Sequence, residues 1–517
     1  GTPERVAPSR ADPLVSRLAG PVGGAWGRHA VTGRQRFWTP VRVLLALLVL
    51  TLAGGWLAKA PCQTHRWAIH PPVASPGSGQ PTEVRGKEDI WLCYSDVVSL
   101  YQAEGLDRGA VPYRDHGVEY PVLTGFFMYG ALEAATGYDA VARGASGVLP
   151  RWPAVQSYFE VTAVLLAICA LVTLWCCARL AGRRIWDIAM VALAPLLVVH
   201  AFTNWDLFAV ALASAAMLGW ARGRPVLAGV LIGLGTAAKL YPVLLLAPLL
   251  VLCLRAGRLR EFGRTATGAA LAWVAVNLPV ALLWGRNWAV FFTSNTARGA
   301  DHDTLWEAGQ YLSGARIPTG TLDALTLLLV AAVFAGVAML ALRTERRPRL
   351  PQLAFLLVAG FLLTNKVWSP QYSLWLLPLA VLARPSWRVF LGWQAAEVLL
   401  WLPREYWLLQ GTLARAGLTP AEAGVHTVGQ GWFVATVLLR DVVVIVYAAL
   451  IVRDILRPGH DVVRRDGVDD PAGGVLHGAP DRWLLAGVSP RRWRLRAVRH
   501  GQPAAVTAAR SRSMSPR

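Results

Sequence analysis

Two lysines stand inside apolar stretches of a chain that otherwise avoids lysine. They are Lys239 in GTAAKLYP and Lys366 in TNKVWSP, half of the four lysines among 51 basic residues. A lysine is a compact point charge able to meet a phosphate. A charge inside an apolar span costs about 2.5–3.5 kcal/mol on insertion scales unless it is paired or wetted. The same reasoning marks Asn204 and Asp206 in NWD, and Asn365 and Gln371 in NKVWSPQY, as groups that face a cavity rather than lipid. For Lys239 the alternative to phosphate binding is a structural ion pair with Asp206. Arg440-Asp441, inside a late apolar run, is most simply an internal ion pair.

A second set of polar residues lies between apolar runs. SDVVSLYQAEG carries Asp96, and spacing of i, i+3 and i+4 puts Ser99 and Leu100 on its face if 94–105 forms a short surface helix. PYRDHGVEYPVL then brings Glu119 and Tyr120 to the point where the chain re-enters lipid at Pro121. For Glu119 the alternative role is a helix cap ahead of that proline. The stretch 285–320 adds Arg298, Asp301, His302 and Asp303. DHD imitates a metal cluster, but adjacent loop residues need not converge, so no metal site is expected. GLGTAA at 233–238 imitates a dinucleotide fingerprint without its βαβ unit, and Gly229 and Gly233 read better as a small-residue helix contact. No P-loop, zinc-protease or nucleophile-elbow motif is present, which argues against nucleotide hydrolysis and proteolysis. No cofactor is expected.

These residues have to be positioned by helices in a membrane. The 517 residues are 55% hydrophobic and only 16% charged, with 23 Trp. Apolar runs at 41–58, 156–178, 186–203, 204–221, 265–284, 321–342, 386–403 and 432–452 approach the roughly 20 residues of helix that a bilayer needs. The run 225–254 reads as one long helix or two short ones and 352–383 as a hairpin broken at Ser369-Pro370; if 119–137 also spans, the parity of the count requires 225–254 to be a single crossing. The expected fold is all-α, a polytopic bundle of about 12 spans. Arginine-rich joints at 179–184, 222–224, 255–264, 343–349 and 384–388 belong on the cytoplasmic side, which leaves 59–118, 285–320 and 404–431 external. The net charge of +20 follows this pattern and suits anionic lipid, not nucleic acid. Residues 1–40 and 453–517 read as disordered basic cytoplasmic tails around a core at 41–452. Cys62 and Cys93 share the first external loop, which allows a disulfide in an oxidising compartment.

The order of motifs resembles glycosyltransferase family 87, a branch of the membrane-embedded GT-C transferases. The resemblance rests on SDVVSLY, PYRDHGVEYPVL, NWD, GLGTAAKLYPVLLLAPL and NKVWSPQYSLWLLPL, spread over roughly 90–383. It implies a GT-C-type bundle whose external loops form the active site, in the plasma membrane with both termini cytoplasmic. The implied reaction moves a hexose, usually mannose, from a polyprenyl-phosphate donor to a lipid or glycan acceptor of the cell envelope on the external face. Asp96 then stands at the general base, and Val98 replaces the second acid of the DxD pair found in many relatives, which favours a reaction without metal.

In that picture the acceptor hydroxyl loses its proton as it attacks the anomeric carbon, and single displacement inverts the centre. Lys239, Lys366 and Arg298 are the candidates to meet the departing phosphate. Glu119, Tyr120, Asn204, Asp206, His302 and Gln371 are the candidates to line the substrate walls. The rival readings are a secondary transporter, which would place its charges near the midplane on repeat-related broken helices, and a non-catalytic lipid-carrier-binding protein, which would leave Asp96 dispensable.

Overall fold

A computed structural model describes residues 12–18, 37–63, 73–74, 81–82, 86–145, 147–466, 469–485 and 495–497. The first long helix, α1 (Pro40–Lys59), starts where Thr39 accepts from the Arg42 amide and Pro40 occupies the first turn. After it come α2 (Asp96–Ala103), α3 (Val122–Gly144), α4 (Ala154–Ala181), α5 (Pro195–His200) and α6 (Asp206–Ala221). The chain continues through α7 (Pro225–Ala238), α8 (Leu246–Ala256), the 39-residue α9 (Leu259–Ala297) and α10 (Leu305–Ser313). It ends with α11 (Thr319–Arg343), α12 (Leu350–Thr364), α13 (Ser373–Ala383), α14 (Trp387–Arg415) and α15 (Gln430–Leu456). Two short antiparallel pairs join Val73–Ala74 to Pro81–Thr82 and Trp483–Leu485 to Leu495–Ala497.

Among the described residues, five stretches are long and apolar enough to cross a membrane: Pro40–Cys62, Ala154–Ala192, Leu259–Ala297, Thr319–Arg343 and Gln430–Leu456. Helices α3 and α14 are long, with 23 and 29 residues, but less apolar, while other apolar segments are shorter pieces, such as Pro225–Ala238 with 14 residues. At 1.5 Å per residue such a piece reaches about 21 Å, less than a bilayer core. The expected count of about 12 spans is therefore not met by whole helices among the described residues. The run 225–254 resolves into two pieces, α7 and α8, with Lys239 in extended conformation between them. The hairpin 352–383 breaks where expected, a 3-10 turn at Pro370–Tyr372 separating α12 from α13.

Gly229 and Gly233 do make the small-residue contact. A Cβ on Gly229 would lie 2.0 Å from the Thr265 carbonyl oxygen, and one on Gly233 would lie 2.2 Å from that of Ala269, so α7 and α9 touch backbone to backbone. On the opposite extreme, α11 exposes Leu325, Leu327, Leu328 and Phe334, as a helix facing lipid does.

The segment read as a C-terminal tail differs from expectation. Helix α15 runs to Leu456, and described residues between 457 and 485 fold back onto the arginine-rich end of the bundle. Arg349, fully buried, donates to Asp461 at 2.8 Å and to the Leu382 carbonyl at 2.8 Å, closing the end of α13. Arg255, also fully buried, meets Asp481 at 2.6 Å. Composition hid this, because two aspartates in a stretch rich in Gly, Pro and Arg do not make an apolar period. Residues 1–11, 19–36, 467–468, 486–494 and 498–517 of the expected tails lie outside the described residues.

Candidate active site

Asp96 is the first residue of α2, and its seat is made by the break between α5 and α6. The Ser95 hydroxyl donates to the Phe202 carbonyl at 2.7 Å and the Asp96 amide to the Thr203 carbonyl at 2.8 Å. These bonds satisfy backbone groups that a broken span would leave bare in lipid. Both carboxylate oxygens of Asp96 are then engaged. Tyr94 donates its hydroxyl to Oδ1 at 2.6 Å, and Asn204 donates Nδ2 to Oδ2 at 2.6 Å. The Trp205 amide donates to Asn204 Oδ1 at 2.6 Å, which orients the amide so that Nδ2 serves Asp96 and, at 2.8 Å, the Tyr120 hydroxyl.

Tyr120 is held in turn by Tyr113. Tyr113 is fully buried in a left-handed backbone conformation (φ 67°), and its hydroxyl donates to the Tyr120 carbonyl at 3.0 Å. Such a conformation is costly for a bulky residue, so the surrounding packing must enforce it.

Behind Tyr120 lies the charge at depth. Lys239 Nζ is 3.6 Å from Asp206 Oδ1, which also accepts from Trp375 Nε1 at 2.8 Å. The ammonium sits 5.0 Å from the Tyr120 ring centre and 5.1 Å from that of Tyr372. Asp206 opens α6, where the helix N-terminus favours a negative charge. The three helix breaks thus converge: one supplies Asn204 and Asp206, one Lys239, and one Gln371 and Tyr372.

A cavity of about 300 Å³ opens beside Asp96. Thr203 and Gln371 line it from the helix breaks, Trp401 and Arg404 from α14, and Glu88 and Asp89 from a short helical turn at Lys87–Ile90. Burial and the neighbouring Glu405 and Glu88 charges push the Asp89 carboxyl up to about 8. Arg404 is spoken for, pairing with Asp303 at 3.0 Å and Glu405 at 2.6 Å.

Other candidates are placed elsewhere. Glu119 faces Arg298 at 3.6 Å, both exposed. Lys366 donates to the Arg298 carbonyl at 2.7 Å and the Thr296 carbonyl at 3.3 Å and pairs with Asp323, so it braces the loop that carries Arg298. His302 packs against the Trp407 ring at 4.8 Å, while Asp303 is buried against Arg404, so the DHD side chains diverge. Among the described residues no three His, Cys, Asp or Glu side chains gather as a metal site would require. Arg440 and Asp441 pair at 2.9 Å, as read from sequence. Sequence reasoning missed Lys59, Tyr94, Asp89, Trp401 and Arg404. Lys59 was within reach, because it is another of the four lysines and ends the first apolar run.

A bundle of membrane helices with its polar groups collected at breaks and loops defines the setting, and comparison with known families supplies the class: the chain is a membrane glycosyltransferase. The model of glycosyltransferase family 87 matches residues 147–370, and the resemblance read from the motifs holds over that stretch. The match contains NWD, Lys239 and NKVWSP; Asp96 and Glu119 precede it, so it is shorter than the expected 90–383. No curated protein matches the chain.

Proposed function

We propose that this transferase has a GT-C-type fold and moves a hexose, mannose by the family pattern, from a polyprenyl-phosphate donor to a cell-envelope glycolipid or glycan, with inversion and with Asp96 as the base. The observation that carries the reading is Asp96 itself, fixed through both oxygens by Tyr94 and Asn204 at the wall of a cavity of about 300 Å³. A carboxylate so held keeps lone pairs for an acceptor hydroxyl, takes its proton as the oxygen attacks the anomeric carbon, and leaves the electron pair of the broken bond on the lipid phosphate. Lys239, already shared between Asp206 and two tyrosine rings, connects to Asp96 through Tyr120 and Asn204, and Arg298 stands exposed beside Glu119; these two, with Lys366, are the cations proposed to meet the departing phosphate.

The reaction belongs on the external face of the plasma membrane, with the arginine-rich joints and both termini cytoplasmic. The Cys62–Cys93 bridge supports that side, since disulfides persist in oxidising compartments. A lipid-linked donor keeps its tail in lipid and its sugar in water, so a site built where helices break at the boundary suits it.

The test is transfer of radiolabelled mannose from polyprenyl-phosphate mannose into lipid extract by membranes carrying wild type or Asp96→Asn, with EDTA in parallel. Loss of transfer in an equally expressed variant supports the base, and insensitivity to EDTA supports a metal-free reaction. Full activity in the variant moves the base elsewhere.

A further inference from the structure

The five residues that lead into α2 are tied down at every position. The Leu92 carbonyl accepts from Trp401 Nε1 at 3.1 Å, and Leu92 is held in the left-handed region (φ 55°), which a branched side chain rarely adopts. Cys93 is bonded to Cys62, just past the end of α1. The Tyr94 carbonyl accepts from Lys59 Nζ at 2.7 Å, while the Tyr94 hydroxyl reaches Asp96. Ser95 and the Asp96 amide close onto Phe202 and Thr203. Lys59 is 2% exposed, and its ammonium also lies 5.2 Å from the Trp401 ring centre. A buried lysine that donates to a main-chain carbonyl two residues from the candidate base has no role in lipid anchoring.

We propose that Leu92–Asp96 is a tensioned strap that aims Asp96 into the cavity, and that Lys59, Trp401 and the Cys62–Cys93 bridge are its positioning elements. The bridge joins the strap to the end of α1, Lys59 fixes the carbonyl of Tyr94, and Trp401 enforces the left-handed Leu92. Releasing the bridge lets Leu92 relax to an ordinary conformation and swings the Tyr94 hydroxyl and Asp96 out of register. The inference rests on Asp96 being the base.

The test uses the purified full chain in lipid nanodiscs. A phosphine gives an electron pair to the bridge and ends as its oxide, with water supplying the oxygen, and two protons complete the Cys62 and Cys93 thiols. Hydrogen exchange over 91–103 and mannosyl transfer are measured before and after, and again in Cys62→Ser/Cys93→Ser and in Lys59→Met, which keeps the bridge. The remaining cysteines, Cys169, Cys176, Cys177 and Cys253, are already free thiols in the bundle.

Faster exchange over 91–103, with kcat down on the order of tenfold or more as for a misplacement near 1 Å and KM within about twofold, is the expected result. Unchanged exchange, or faster exchange with unchanged kcat, overturns the strap. If neither state transfers mannose, the failure belongs to the donor reading, and unchanged exchange over 91–103 still overturns the strap.

Discussion

Asn204 Nδ2 lies 2.6 Å from Asp96 Oδ2, joining the mouth of α6 to the first residue of α2 across 108 positions of sequence. The same nitrogen reaches Tyr120 at 2.8 Å, so one amide couples the candidate base to the turn by which the chain enters α3. Replacing Asn204 by Leu removes both donations inside a site where Asn204 is 2% exposed. Leaving buried acceptors unpaired costs about 1–3 kcal/mol. The expected outcome is a lower melting temperature together with a fall in mannosyl transfer, whereas Asn204→Ser, which retains a donor, recovers part of each.

Lys239 and Asp206 separate two roles that a sequence alone leaves tangled. Removing one partner of a buried pair strands the other and costs about 3–5 kcal/mol, while removing both is much milder. Lys239→Met should therefore melt well below wild type, and Lys239→Met/Asp206→Asn should regain most of the loss. If Lys239 also meets the donor phosphate, the double variant stays slow in transfer despite its recovered stability. Recovery of both reduces Lys239 to a structural ion.

The return of residues 457–485 onto the bundle has its own consequence. Ending the chain after Leu456 removes Asp461 and Asp481 and leaves Arg349 and Arg255 buried without these carboxylate partners. A melt of the truncated protein in detergent should fall by many degrees.

Why some of this was legible follows from the residues themselves. Lys239, Asp206 and Asn204 are out of place in apolar runs, and that cost alone marks them as turned away from lipid; Lys239 and Asp206 pair with each other, and Asn204 reaches Asp96. Gly229 and Gly233 were legible because one helix face carries them at i and i+4. Tyr94 and Trp401 were not, since an aromatic residue at a membrane boundary is ordinary and only the fold brings it to Asp96 or Leu92. Lys366 was legible as an unusual type in an apolar run, but its bonds to the carbonyls of Thr296 and Arg298 are contacts that no spacing announces. Apolar run length likewise does not reveal where a helix stops at a buried polar group, which is why the run 225–254 left one helix or two open.

Asp89 gives the cavity wall a dependence on pH. Its carboxyl is raised to about 8, first by burial and then by Glu405 and Glu88, with Arg404 opposing. An unfolded aspartate titrates near 3.9, so between about pH 4 and pH 8 the folded chain holds a proton that the unfolded chain has lost. The stabilisation from this group is complete below about pH 4 and is lost as pH rises through about 8. Asp89→Asn cannot titrate, so its melting temperature should fall less than that of wild type between pH 5 and pH 8.5, and the difference between the two should grow toward alkaline pH. Parallel pH profiles for the two proteins would mean that Asp89 is ionised in the folded state throughout, and that the cavity carries its negative charge at neutral pH.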